Sequence, residues 1–202
     1  MHIDFHLEEP SAEEALRNIV PRILTTDHTY RFLIYNGKHD LLKKLPNRLK
    51  TYSKWLSDNY KLVVLIDEDR QGCFDLKQRL EETAANAGLT TKTMASGKQQ
   101  SFHVLNRIVV EELEAWFFGD TEALRKAYPN VSERLLLRPR FSDPDAIQGG
   151  TWETLERVLQ NAGYYRSGLP KIRTARNISK YMVPERNTSR SFQTFRTGLL
   201  AL

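Results

Sequence analysis

The chain has 202 residues, 30 Lys and Arg against 25 Asp and Glu, a net charge of +5, and 40% hydrophobic residues. That is the profile of a globular protein able to bury a core without cross-links, and its one cysteine, Cys73, excludes an intrachain disulfide. No apolar run approaches the roughly 20 residues of a membrane span, and Met1-His2-Ile3-Asp4-Phe5 lacks a basic segment ahead of an apolar one, so a cytoplasmic location and no membrane partner are expected.

Residues 2–7 alternate, with His2, Asp4 and His6 on one face and Ile3, Phe5 and Leu7 on the other, which predicts a strand whose polar face is half-exposed. Glu8-Glu9-Pro10-Ser11 stops it. Ser11 and Glu14 have capping-box spacing, and Ala15, Leu16, Ile19, Val20 and Ile23 predict a helix over 12–24. Residues 30–35 predict a second strand. Leucines and aromatics from Leu41 to Leu56 predict a helix over 39–58 that Pro46 can split. Leu62-Val63-Val64-Leu65-Ile66 is an unbroken apolar run, the mark of a strand covered on both faces in a parallel sheet. A helix over 72–87 ends at Gly88, a C-cap residue. Residues 90–94 predict a further strand and 101–110 another extended segment. A helix follows from Glu111 to Phe118, 138–144 reads as a loop, and helices are predicted at 151–162 and 170–182. Trp55, Trp116 and Trp152 are expected in the core. The β-α-β-α-β-α-β order implies an α/β layered fold with a mostly parallel sheet flanked by helices.

The chemistry concentrates in acids at strand ends. Asp67 and Asp69 follow the most apolar strand, at the edge where α/β sheets bind ligands. In extended geometry they point the same way. Glu8 ends another strand and, with helical crossovers, arrives at the same edge. Three like charges there call for a hard cation with oxygen ligands, Mg²⁺ or Mn²⁺. Glu112 and Glu114 stand two apart, about 200° on a helix, so only one can join the site, and Glu112 is favoured. Arg70 beside the acids is a phosphate clamp or an ion-pair partner. From Tyr164 onward eight bases face one acid, Glu185. Lys171, Arg173, Arg176 and Lys180 lie at helical spacing there and are candidates to track a nucleic-acid backbone. His2, Asp4 and His6 offer a minor Zn²⁺ alternative. Cys73, early in a helix with no base beside it, reads as a packed thiol. No Gly-x-Gly-x-x-Gly and no P-loop occurs, so dinucleotide binding and intrinsic ATP hydrolysis are not expected.

Glutamate after the first strand with Asp-x-Asp after a later one resembles the Toprim domain of topoisomerases, primases and overcoming-lysogenization-defect nucleases. Over roughly residues 3–200 the chain is similar to a bacterial family of Toprim-like proteins of unknown function. Leu7-Glu8-Glu9-Pro10-Ser11, Leu65-Ile66-Asp67-Glu68-Asp69-Arg70, Glu112-Leu113-Glu114-Ala115-Trp116 and Asn187-Thr188-Ser189-Arg190-Ser191-Phe192 carry the likeness. That family has glycine where this chain has Glu9.

The resemblance implies a Toprim-like, Rossmann-like core over 1–120 and a helical, basic extension over 121–202 packed on it. It implies a metal-dependent nuclease or phosphodiester-transfer enzyme in which Glu8, Asp67 and Asp69 hold the metal, with Glu112 as a further catalytic acid. Glu8 or Glu9 is alternatively the general base. An ATPase partner of the AAA or ABC class and a role in antiviral defence are implied as well. Two other readings compete: a non-catalytic binding subunit of an ATPase complex, and a phospho-acceptor of the receiver type.

Overall fold

The computed structural model describes residues 1–24, 27–69, 72–98 and 100–202. The chain begins β1 (His2–Leu7), α1 (Pro10–Ile23), β2 (Thr29–Ile34), α2 (Gly37–Tyr52), β3 (Tyr60–Asp67) and α3 (Cys73–Asn86). A short α4 (Lys92–Ala95) precedes β4 (Val104–Val109). Helices then follow as α5 (Glu114–Phe118), α6 (Thr121–Ala127), α7 (Glu133–Leu136), α8 (Thr151–Asn161), α9 (Lys171–Ser179) and α10 (Arg190–Leu199).

The four strands form one all-parallel sheet in the order β2-β1-β3-β4. From β1 the chain steps outward to β2, then crosses back to lay β3 on the other side of β1. The crevice between the carboxyl ends of β1 and β3 is therefore the switch point, where such sheets bind ligands. Odd-numbered β1 and β3 residues, Ile3, Phe5, Leu7, Val63 and Leu65, pack with α1 and the C-terminal helices. Leu62, Val64 and Ile66 pack with α2 and α3 on the other face. Burial on both faces explains why β3 is apolar throughout. Helix α9 lies along α1, and Arg22 of α1 donates to the backbone carbonyls of Ser179, Lys180 and Met182. Among the described residues, no helix is long and apolar enough to cross a membrane.

Several local expectations are corrected. Residues 90–94 form no strand: Thr91 makes an isolated bridge to Val104, and its hydroxyl accepts from the Met94 amide and starts α4. Pro46 does not split α2, because the stripe Leu41, Leu45, Leu49 and Tyr52 is buried against the sheet and outweighs one lost backbone bond. Ser11 is no capping residue: Pro10 takes the first helical turn, and the buried Ser11 hydroxyl donates to the Glu9 carboxylate. Trp55 is 53% exposed, whereas Trp116 is fully buried. Helix α10 falls within the expected helical extension over 121–202, at a position for which no separate helix is predicted.

The polar face of β1 is also buried rather than half-exposed, since Asp4 and His6 are both inaccessible. Asp4 accepts from Arg31 Nε and Nη2 at 2.6 and 2.8 Å, from the Tyr52 and Tyr60 hydroxyls at 2.5 and 2.7 Å, and contacts His2 Nε2 at 3.1 Å. Burial alone would raise its pKa, but these donors bring it down to about 2. The His6 ring bonds the Tyr35 hydroxyl at 2.8 Å, and burial lowers its pKa to about 3, so it packs as a neutral ring. These contacts give the three residues a structural role and no Zn²⁺ geometry.

Candidate functional site

Glu8 stands one residue past β1, and Asp67 is the last residue of β3. Parallel pairing of Leu7 with Leu65 brings them to the same edge, across the switch point. Glu8 Oε2 accepts from the Asp67 amide at 3.3 Å, and Asp67 Oδ2 accepts from the Leu113 amide at 3.4 Å. Both are long for such bonds. Burial pushes the Glu8 carboxyl up to about 7; Lys38 opposes this, while Asp69 and Glu9 add to it. Burial also raises Asp67 well above the usual carboxylate range, with Glu8 and Glu114 adding repulsion.

Asp69 departs from the expected extended geometry. The strand ends at Asp67, and Asp69 adopts the left-handed conformation at φ 50°. Its Oδ2 lies 2.5 Å from Lys38 Nζ, which also donates to the Glu68 carbonyl at 3.0 Å. Lys38 is only 9% exposed. It enters from the first turn of α2, where the Gly37 amide bonds the Glu8 carbonyl at 3.0 Å and fixes the helix start beside the acids. Sequence reasoning missed Lys38, although Asn36-Gly37-Lys38 directly follows β2 and so belongs to the same edge. Glu68 is a local staple: its carboxylate takes the Cys73 amide at 2.7 Å and the Glu111 amide at 3.3 Å. Glu9 caps α1 in ordinary extended backbone, φ −146°, so no glycine is required there.

The two acids after β4 have different fates. Glu112 precedes α5, and its Oε2 accepts from the Thr151 hydroxyl and the Trp152 amide, both at 3.0 Å. It thus holds the N-terminus of α8, the natural place for a carboxylate. Glu114 is 2% exposed, and its Oε2 has no hydrogen-bond partner among the described residues. Burial raises its pKa to about 7, with Lys171 opposing and Glu112 and Glu9 adding. Glu114, expected to serve elsewhere, is the one left turned toward the Asp67 side of the edge.

Of the basic candidates, Lys171 joins this cluster. Its ammonium sits 5.2 Å from the Trp152 ring centroid. Burial works against its charge, but Glu114, Glu9, Glu112 and Asp67 outweigh that and raise its pKa. Arg173 stacks over Tyr165 at 4.8 Å, and Arg176 makes two 2.7 Å bonds to Glu14 of α1. Lys180 is exposed at the end of α9. Arg70 lies outside the described residues. Cys73 is a free thiol whose pKa burial raises, so it packs as expected. Among the described residues, no three His, Cys, Asp or Glu side chains are grouped as a metal site.

A parallel sheet with helices on both faces and carboxylates at its switch point defines an α/β protein of the Rossmann-like type. The chain belongs to a family described as a domain of unknown function (DUF4276), and the match covers residues 7–200. No curated protein and no solved structure matches the chain.

Proposed function

We propose that this protein is a metal-dependent nuclease or related phosphodiester-transfer enzyme, working at the edge formed by Glu8, Asp67 and Asp69. One observation carries the reading: Glu8 and Asp67 meet across the switch point, where the Glu8 carboxylate accepts the Asp67 amide, burial raises the pKa of both, and Glu8 adds repulsion to Asp67. An oxygen-only donor set that is costly to ionise without a positive partner fits a hard cation such as Mg²⁺ or Mn²⁺. Glu8, Asp67 and Asp69 would hold it. Once bound, such an ion polarises a phosphate and steadies the leaving oxygen.

The chain's own groups supply the rest. Lys171 brings a half-buried ammonium, braced on Trp152, to the acid edge, where it meets the negative charge of a phosphate. Lys38 holds the Asp69 carboxylate in place through their ion pair. The Toprim-like resemblance adds an ATPase partner of the AAA or ABC class and a role in antiviral defence. It also supports nucleic acid as the substrate.

A second reading, a non-catalytic subunit, is favoured by one specific observation: Lys38 already engages Asp69 at 2.5 Å. Incubating the full chain with labelled DNA and RNA, with Mg²⁺, Mn²⁺ or EDTA, separates the two. Cleavage that needs the metal and disappears in Asp67→Asn supports the enzyme. Cleavage unchanged in Asp67→Asn removes this edge from the chemistry, and absence of cleavage with the ATPase present favours the subunit.

A further inference from the structure

On the β4 side of the acid edge lies a cavity of about 450 Å³, within the range of ligand-binding pockets. Ile108, Val110 and Cys73 give it an apolar wall. Phe74 stands beside them, 89% exposed, far more than Trp55 or any other large aromatic in the described core faces. Most charged groups around the cavity are already committed. Lys77 pairs with Glu81 at 2.6 Å and donates to the Asn106 carbonyl at 2.8 Å. Arg107 donates to the carbonyls of Thr194 and Asn106. Asp145 accepts from the Ser189 hydroxyl and from the Ser191 amide and hydroxyl. Arg190 is different: it is 87% exposed, and Asp143 is 4.0 Å away.

After internal pairing, an aromatic face, an apolar wall and the exposed Arg190 guanidinium, with the Asp143 carboxylate 4.0 Å from it, are left facing the cavity. This is the complement of one unpaired nucleotide, with the base stacked on Phe74 and a phosphate on Arg190. Glu68 ties the cavity wall to the acid edge: it follows Asp67 and bonds the amide of Cys73, which lines the cavity, and that of Glu111. A base paired within a duplex has both faces stacked and cannot offer one to Phe74; a single strand can.

We propose that this cavity is a nucleotide subsite and that the substrate is therefore single-stranded, or frayed, nucleic acid. The proposal rests on the reading of the acid edge as acting on nucleic acid. Its test is fluorescence anisotropy of the full chain carrying Asp67→Asn, with an oligothymidylate and with a blunt duplex of equal length, over a salt series. The single strand binds more tightly than the duplex. Phe74→Ala weakens single-strand binding about tenfold, the loss of one base–aromatic stack, and leaves duplex binding unchanged. Arg190→Gln lowers the slope of log affinity against log salt by about 0.7. Because both side chains are exposed, neither substitution threatens the fold. Single-strand affinity unchanged in Phe74→Ala overturns the subsite, and if the unsubstituted chain still cleaves, only the subsite falls. Binding that depends on Phe74 without any metal-dependent cleavage keeps the subsite and sinks the catalytic reading. No binding of either oligonucleotide overturns both.

Discussion

Replacing Asp4 with asparagine tests how the sheet is held at the end opposite the acid edge. Asp4 is fully buried and its carboxylate collects Arg31, Tyr52 and Tyr60. Its pKa falls from 3.8 to about 2 on folding, because those donors outweigh the burial that opposes ionisation. The folded chain gives up this proton more readily than the unfolded chain, so stability rises with pH across that window. The full contribution, about 2 to 3 kcal/mol at roughly 1.4 per pKa unit, is present above pH 3.8 and is lost as the pH falls through about 2. Asparagine keeps the shape, removes the charge, and turns an amide N–H₂ toward groups that are themselves donors. Urea unfolding at pH 7 shows Asp4→Asn less stable by about 2 to 3 kcal/mol, or a melting temperature lower by about 5 to 10 °C for a chain of this size. At pH 3 about half of that difference remains. Equal midpoints at pH 7, or a difference undiminished at pH 3, would refute the argument that the ionised network stabilises the fold.

Glu8→Gln has the opposite sign: at pH 8 it stabilises by about 3 kcal/mol, because burial raises the folded carboxyl from 4.5 to about 7. The gain fades as the pH falls through that interval, and thermal melts at pH 8 and pH 5 read it. Glu112→Ala removes the acceptor for the Thr151 hydroxyl and the Trp152 amide and costs about 1 kcal/mol by urea titration, the usual value of a helix cap. If nucleic acid reaches the acid edge, Lys171→Met lowers the salt slope of binding by about 0.7 to 0.9. Arg176→Gln, which mainly loses an exposed pair with Glu14, leaves that slope unchanged in the same anisotropy series and has little effect on stability, as exposed ion pairs do.

What could be read in advance was whatever a period of two or 3.6 encodes. The alternation of β1, the apolar run of β3 and the stripes of α1 and α3 fixed the parallel sheet, and helical crossovers then brought Glu8 and Asp67 to one edge. What alternation cannot report is what covers a strand's polar face. Asp4 and His6 are buried because Tyr35, Tyr52 and Tyr60 close over them, and these come from sequence far from β1. The extended geometry expected from Asp67 to Asp69 gives way for a local reason, the left-handed turn at Asp69. Lys38 was hidden because a lysine in a first helical turn reads as solvated. Glu112 and Glu114 could be told to diverge, but which one turned inward depended on where α8 begins.

The two ends of the sheet treat buried charge in opposite ways. At the amino end, Asp4 is given an arginine and two tyrosines within hydrogen-bond distance, and its pKa falls. At the carboxyl end, among the described residues, Glu8 and Asp67 accept from amides at 3.3 and 3.4 Å, Glu114 Oε2 has no hydrogen-bond partner, and the pKa values of all three rise. Burying a carboxylate without a full set of donors costs several kcal/mol, and a fold that places arginine and tyrosine around Asp4 has the means to avoid it. Carboxylates left strained by their neighbours, in the crevice of a parallel sheet, are what a site tuned for a partner from outside the chain requires. That asymmetry, more than the number of acids, is the reason we propose the carboxyl end as the place for a cation and a phosphate.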